Sequence, residues 1–260
     1  MIDVAVSAAV GSEQAPLLVL GPSLGTTSIL WEAVWPSLAL DHRVITWDLP
    51  GHGASAPARE PFEVADLADS LVRALADALG GARFDYAGVS LGGAVGLELL
   101  LRHPQRVGRA AILCSGAVIG TPEGWHDRAA QVRAQSTSSL VIGSAQRWFA
   151  PDSIAEHPEL AGRLLHALQN ADDESYALAC EALAAYDVRD RLREIDAPVL
   201  AVWGAHDGVT PEASAREIAD GVRLGQASGI PAASHLAPVD DPTAVIRLLS
   251  GFLTPERTPR

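Results

Sequence analysis

Short apolar runs bounded by turn residues recur along the chain, at residues 16–20 (PLLVL), 43–48 (RVITWD), 84–89 (FDYAGV), 110–114 (AAILC) and 198–203 (PVLAVW). None alternates cleanly between apolar and polar positions, the pattern expected of buried strands in a parallel sheet covered on both faces. Between them lie helical patterns, clearest over residues 64–79. There Leu67, Leu71, Leu75 and Leu79 repeat every four positions on one stripe, and Gly80 and Gly81 end it. Strand, helix and strand in this order predict right-handed crossovers and an α/β fold with a mostly parallel, doubly wound sheet. From Gly120 to Arg189 the strand pattern vanishes. The segment is helix-prone and punctuated by Pro122, Pro151 and Pro158. It is expected to form an inserted helical cap, residues 120–189, on a core of residues 1–119 and 190–260.

At 260 residues and 48% hydrophobic positions the chain has enough apolar material for one α/β domain with an insertion. All 19 basic residues are arginine and none is lysine. That excludes lysine Schiff-base chemistry and P-loop nucleotide hydrolysis. A net charge of -13 opposes binding to nucleic acid or anionic lipid. The predicted cap carries five arginines against ten acidic residues, so an anionic ligand there must be held by particular arginines. Cys114 and Cys180 form neither a CxxC pair nor a dense framework, which points away from zinc and structural disulfides and towards a reducing compartment. The first ten residues lack the pattern of a secretory signal. The most apolar stretch, residues 87–101, is interrupted by Ser90 and Glu98 and falls short of a membrane span. A cytoplasmic protein, monomeric or a small homo-oligomer, is expected.

Gly88-Val-Ser90-Leu-Gly92 follows a predicted strand and opens a helix rich in small residues. This is the context of a nucleophile elbow, in which a serine sits at the apex of a strained strand-to-helix turn. The positions two before and two after must be small so that the two arms can approach. Asp207 stands just past a late predicted strand and His235 follows, giving the order Ser, Asp, His. In this arrangement Asp207 orients the imidazole while His235 takes the Ser90 proton and returns it to the leaving oxygen. Asp187 or Asp196 could replace Asp207, and His206 could replace His235. An oxyanion formed at Ser90 needs two backbone donors: the Leu91 amide is one, and the amide of Ser23 or Leu24 in the loop of residues 21–26 is the second, since Pro22 has no N–H to give. Residues 51–56 (GHGASA) fit a dinucleotide fingerprint only superficially, because Pro57 follows and no helix opens to receive a pyrophosphate. The remaining histidines have no metal-ligand spacing.

These residues together resemble the α/β-hydrolase superfamily and, more narrowly, the 3-oxoadipate enol-lactonases of bacterial aromatic catabolism. The similarity is carried by residues 23–27 (SLGTT) with Trp31, 47–55 (WDLPGHGAS) and 88–93 (GVSLGG). In the cap it is carried by residues 121–128 (TPEGWHDR), Arg133, 147–149 (RWF) and 180–190 (CEALAAYDVRD). Gly21-Pro22 departs from relatives that place a polar residue before Ser-Leu-Gly, which leaves the second oxyanion donor open. The resemblance implies an α/β-hydrolase fold and cofactor-free, metal-free hydrolysis of a small anionic lactone: a five-membered enol lactone bearing a carboxymethyl arm, opened to 3-oxoadipate. For that carboxylate the candidates are Arg128 and Arg133, with Trp125 and Trp148 as walls.

Two other readings keep part of this picture. A general carboxylesterase, carbon-carbon bond hydrolase or cofactor-free perhydrolase would share the triad and differ in the cap. A ligand-binding receptor on a hydrolase scaffold would share the triad without turnover.

Overall fold

In the computed structural model, which describes residues 2–253, seven strands form one sheet in the order β1-β3-β2-β4-β5-β6-β7. They are β1 (Ala5–Val6), β2 (Leu17–Gly21), β3 (Arg43–Asp48), β4 (Phe84–Val89), β5 (Val107–Leu113), β6 (Val199–Gly204) and β7 (Gly225–Ile230). Only β1 runs antiparallel, against β3; the other neighbours are parallel. The apolar runs therefore become central strands. Leu18, Val19, Leu20, Tyr86, Ala87, Ala110 and Ala111 are completely buried, as a sheet covered on both faces demands.

Two strands escape the hydrophobic pattern for different reasons. β1 is only two residues long. β7 reads GQASGI because it is an exposed edge, buried only at Ile230. Its glycines serve close approach instead: a Cβ at Gly229 would sit 2.8 Å from the Trp203 ring, and one at Gly225 would collide with the Ala219 carbonyl.

The longer helices are α1 (Val64–Ala74), α2 (Leu91–Arg102), α3 (Pro122–Gln135), α4 (Val141–Trp148), α5 (Pro158–Gln169), α6 (Asp173–Ala184), α7 (Glu212–Gly221) and α8 (Pro242–Leu253). The leucine stripe behaves as its period predicts. Leu67, Leu71, Leu75 and Leu79 are all buried, and a capping box between Glu63 and Asp66 starts the helix. The helix is interrupted at Leu75 rather than continuous to residue 79, with a short further turn before Gly80 stops it in the left-handed region at φ +49°. Everything between β5 and β6 is helix, turn or loop, with α3 packed along α6. Trp125, Arg128, Arg147 and Trp148 of this helical layer share a cavity with Ser90, which follows the carboxyl end of β4. No helix among the described residues is long and apolar enough to cross a membrane.

Candidate active site

Ser90 joins β4 to α2 with φ 55° and ψ -116°, a backbone conformation that a non-glycine residue adopts only under constraint. The constraint is visible on both sides. The Ser90 amide donates to the Leu113 carbonyl at 3.0 Å, and the Ser90 carbonyl accepts from Ser115 Oγ at 2.7 Å. The flanking glycines are sterically required: a Cβ on Gly88 would lie 2.3 Å from the Gly92 carbonyl oxygen, and one on Gly92 would lie 2.5 Å from the Pro22 carbonyl oxygen. Backbone atoms are the obstacle in each case, so no side-chain rearrangement relieves the clash. The tight approach at Gly92 also lets its amide donate to the Pro22 carbonyl at 3.0 Å, tying the loop after β2 to the elbow.

Asp207 follows β6 and is buried at the base of a short turn. One of its oxygens accepts from the amides of Val209 (2.7 Å) and Thr210 (3.1 Å). The other accepts from Thr210 Oγ1 (2.8 Å) and His235 Nδ1 (2.9 Å). Burial alone would raise this carboxyl. The hydrogen bonds from His235 and Thr210, with the imidazole's charge, outweigh burial and hold it below the ordinary aspartate value. An ionised Asp207 only accepts, so Nδ1 carries the ring proton and Nε2 is left bare, as a base requires.

The alternatives to these residues lie elsewhere. Asp187 is paired with Arg189, and Asp196 is a mostly exposed partner of Arg223. His206 is exposed and faces a different groove.

The loop carrying His235 is fastened to the helical layer. Leu236 N donates to the Trp148 carbonyl at 2.9 Å, and Ser234 Oγ to the Arg147 carbonyl at 3.2 Å. Asp240, buried nearby, accepts from the amides of both Ser234 (2.7 Å) and Ala150 (3.2 Å) through one oxygen. The end of α4 and the histidine loop therefore form one unit.

Ser90 and His235 line one cavity of about 310 Å³. Ser23 and Leu24 border it from the loop after β2, and among the described residues the amides of Ser23, Leu24 and Leu91 have no protein acceptor. Trp125 and Trp148 line it too, with Trp125 Nε1 donating to the Ile119 carbonyl at 2.5 Å. Two guanidinium groups enter the same space. Arg128 lies over the Trp125 ring at 5.4 Å, and Arg147 projects from α4. Burial and the charge of Arg128 both hold the Arg147 guanidinium below its usual value. Neither arginine pairs with a carboxylate among the described residues.

Arg133 is placed differently from the expectation. It lies outside this cavity, in a surface cluster with Glu174 and Glu181 of α6, and both carboxylates occupy its fork. The physical reason is helical phase: five residues along α3 turn Arg133 about 140° away from Arg128. Arg147 takes the place beside Arg128 that Arg133 leaves empty. Its only sign in the chain is its place in the RWF segment. Among the described residues no group of three or more His, Cys, Asp or Glu side chains is arranged to hold a metal ion.

A serine on a strained elbow, a histidine held by a buried aspartate and backbone amides without protein acceptors among the described residues border one cavity, an arrangement suited to nucleophilic hydrolysis. A family model described as alpha/beta hydrolase fold matches residues 16–242. The chain belongs to the alpha/beta hydrolase family. It is 34% identical to 3-oxoadipate enol-lactonase 2 of Acinetobacter baylyi over 243 residues, covering 93% of this chain and 90% of that one. It is 32% identical to 3-oxoadipate enol-lactonase 1 of the same organism, with 94% and 90% covered. Among solved structures, the enol-lactonase from Burkholderia xenovorans LB400 superposes with a TM-score of 0.92 at 31% identity, over 97% of this hydrolase and 96% of that chain.

Proposed function

We propose that this hydrolase opens 3-oxoadipate enol-lactone to 3-oxoadipate in the degradation of aromatic compounds, with Ser90, His235 and Asp207 as its triad. Residues 120–189 act as a cap over a core of residues 2–119 and 190–253, the ends at residues 1 and 254–260 lying outside the described residues. The observation that carries the substrate assignment is a pair of cations, Arg128 and Arg147, in the cavity of Ser90, without carboxylate partners among the described residues, on a chain of net charge -13. A neutral ester gives no reason to bring two like charges, the half-buried Arg128 and the exposed Arg147, to one cavity. A carboxylate arm does, because it neutralises their repulsion and accepts from both forks.

The chemistry follows from the placement. His235 Nε2 takes the Ser90 proton as Oγ attacks the lactone carbonyl. The resulting oxyanion is stabilised by the Leu91 amide and by that of Ser23 or Leu24. Collapse breaks the ring C–O bond, and His235 protonates the departing enol oxygen, which stays tethered to the acyl chain. Tautomerisation of that enol to a ketone removes the nucleophile that could close the ring again. Water, deprotonated by His235, then cleaves the acyl-enzyme and restores Ser90. Asp207 orients the imidazole and stabilises its cation throughout.

The test is direct. Purified protein mixed with enol lactone generated in place should remove its ultraviolet absorbance with saturable kinetics. Rapid hydrolysis of neutral esters with no effect on the lactone would reassign the protein to the general carboxylesterases.

A further inference from the structure

The loop after β2 must present donors to the oxyanion, yet it contains Gly25 at φ +83°, a residue free to rotate its own peptide. Three hydrogen-bonded ties fix it. Gly92 N holds the Pro22 carbonyl, and Thr26 closes on the Ser23 carbonyl through its amide (3.0 Å) and hydroxyl (2.8 Å). The third tie comes from far along the chain: the Gly25 amide donates to His52 Nε2 at 3.2 Å. His52 is buried, and its Nδ1 lies 2.9 Å from the Pro50 carbonyl. That oxygen can only accept, so Nδ1 carries the proton and Nε2 presents a lone pair to Gly25. The imidazole is also stacked on Tyr176 of α6, at 6.1 Å between ring centres. Cap residues close the other side, since a Cβ on Gly25 would lie 2.7 Å from Leu168 Cδ1 and 3.3 Å from the Trp148 ring.

From this geometry we infer that His52 is a positioning residue for the oxyanion loop: by accepting the Gly25 amide it locks the Leu24–Gly25 peptide and keeps the Ser23 and Leu24 amides free for the transition state. Without that acceptor the peptide can rotate about the flexible glycine, bringing the Leu24 carbonyl, an acceptor, towards the place where negative charge develops. The inference rests on the triad and oxyanion reading above. It is independent of the lactone assignment, because every acyl substrate uses the same donors. It also gives the Gly-His-Gly turn of residues 51–53 a task that is neither nucleotide binding nor simple chain reversal.

The glutamine and asparagine side chains separate this role from packing. Gln places an oxygen acceptor near the position of Nε2, whereas Asn places one near Nδ1. With p-nitrophenyl acetate, which needs no carboxylate clamp, His52→Ala and His52→Asn should lower kcat by about 30- to 100-fold with KM within about threefold, a partial loss of donor alignment. His52→Gln should recover to within about fivefold of the parent on the same scale. If His52→Ala does not fold, the Gln and Asn pair decides alone, with circular dichroism confirming that both are native. Equal losses in Gln and Asn, or a fall shared between kcat and KM, would assign His52 to packing and overturn the inference. Failure of a fluorophosphonate to label Ser90 in the parent protein would instead sink the triad reading beneath it.

Discussion

The elbow and the cap build their halves of the site by opposite means. Around Ser90 the geometry is enforced by backbone: Gly88, Gly92 and the Pro22 carbonyl leave no room for alternatives, and residue identity is dictated by sterics. In the cap the geometry is enforced by which side of a helix a side chain leaves from. Arg128 and Arg133 share α3, yet one reaches the cavity and the other a surface cluster with Glu174 and Glu181. Backbone constraint writes itself into a local motif. Helical phase becomes decisive only when the neighbouring helix is known.

The largest expected effect lies on the elbow side. Ser90→Ala should lower kcat by about four orders of magnitude or more with the fold intact, measured by steady-state hydrolysis and circular dichroism. Retention of a tenth of the rate would remove the distinction between the two regions, because the elbow would then be scaffold only.

On the cap side, Arg128→Ala or Arg147→Ala should raise KM for the anionic lactone by about 10- to 100-fold, the loss of one charged hydrogen-bonding group. A neutral ester should be almost unaffected, and Arg133→Ala should leave both substrates unchanged. A KM effect at Arg133 equal to that at Arg128 would mean the two faces of α3 are not functionally distinct.

A third expectation concerns acid stability. Burial lowers the His52 value, with Pro50, Asp48 and Asp172 opposing it only in part. The unfolded chain therefore binds this proton more readily than the folded one. Stability contributed by the neutral ring is fully present above the unfolded histidine value of about 6.5 and is lost as pH falls towards the folded value. Urea titrations of His52→Gln should show a shallower loss of stability than the parent as pH falls below about 6.5. An unchanged slope would show that His52 carries no such linkage. Asp207 is depressed in the folded state, so its contribution is present above the ordinary aspartate value and is lost only at lower pH.

The smallest effect is at the exposed cluster. Arg133→Ala should cost no more than about 1 kcal/mol, because solvent screens partly exposed pairs. A larger loss by thermal melting would make the α3 and α6 contact a structural keystone rather than a surface decoration.

What could be read from the chain follows the same division. The five central strands were visible because a doubly covered sheet leaves them continuously apolar. β7 was not, because an exposed edge needs no such run. Ser90, Asp207 and His235 could be proposed from order and spacing alone. The partners that fix them, Thr210 on Asp207 and Asp240 on the Ser234 amide, carry no motif of comparable strength. Arg147 was missed as a cavity cation because a lone arginine near a helix end looks like any solvated one. His52 stood inside a glycine-rich turn whose superficial likeness was to nucleotide binding, and its acceptor role appears only once Gly25 is brought against it.

Intact-mass spectrometry of enzyme quenched in acid during turnover of the enol lactone tests the central claim most directly. Ring opening keeps the leaving group attached, so the acyl-enzyme should carry the full mass of the lactone on the peptide containing Ser90, and Ser90→Ala should carry none. An adduct that persists in Ser90→Ala, or turnover that proceeds with no adduct in the parent, would contradict it.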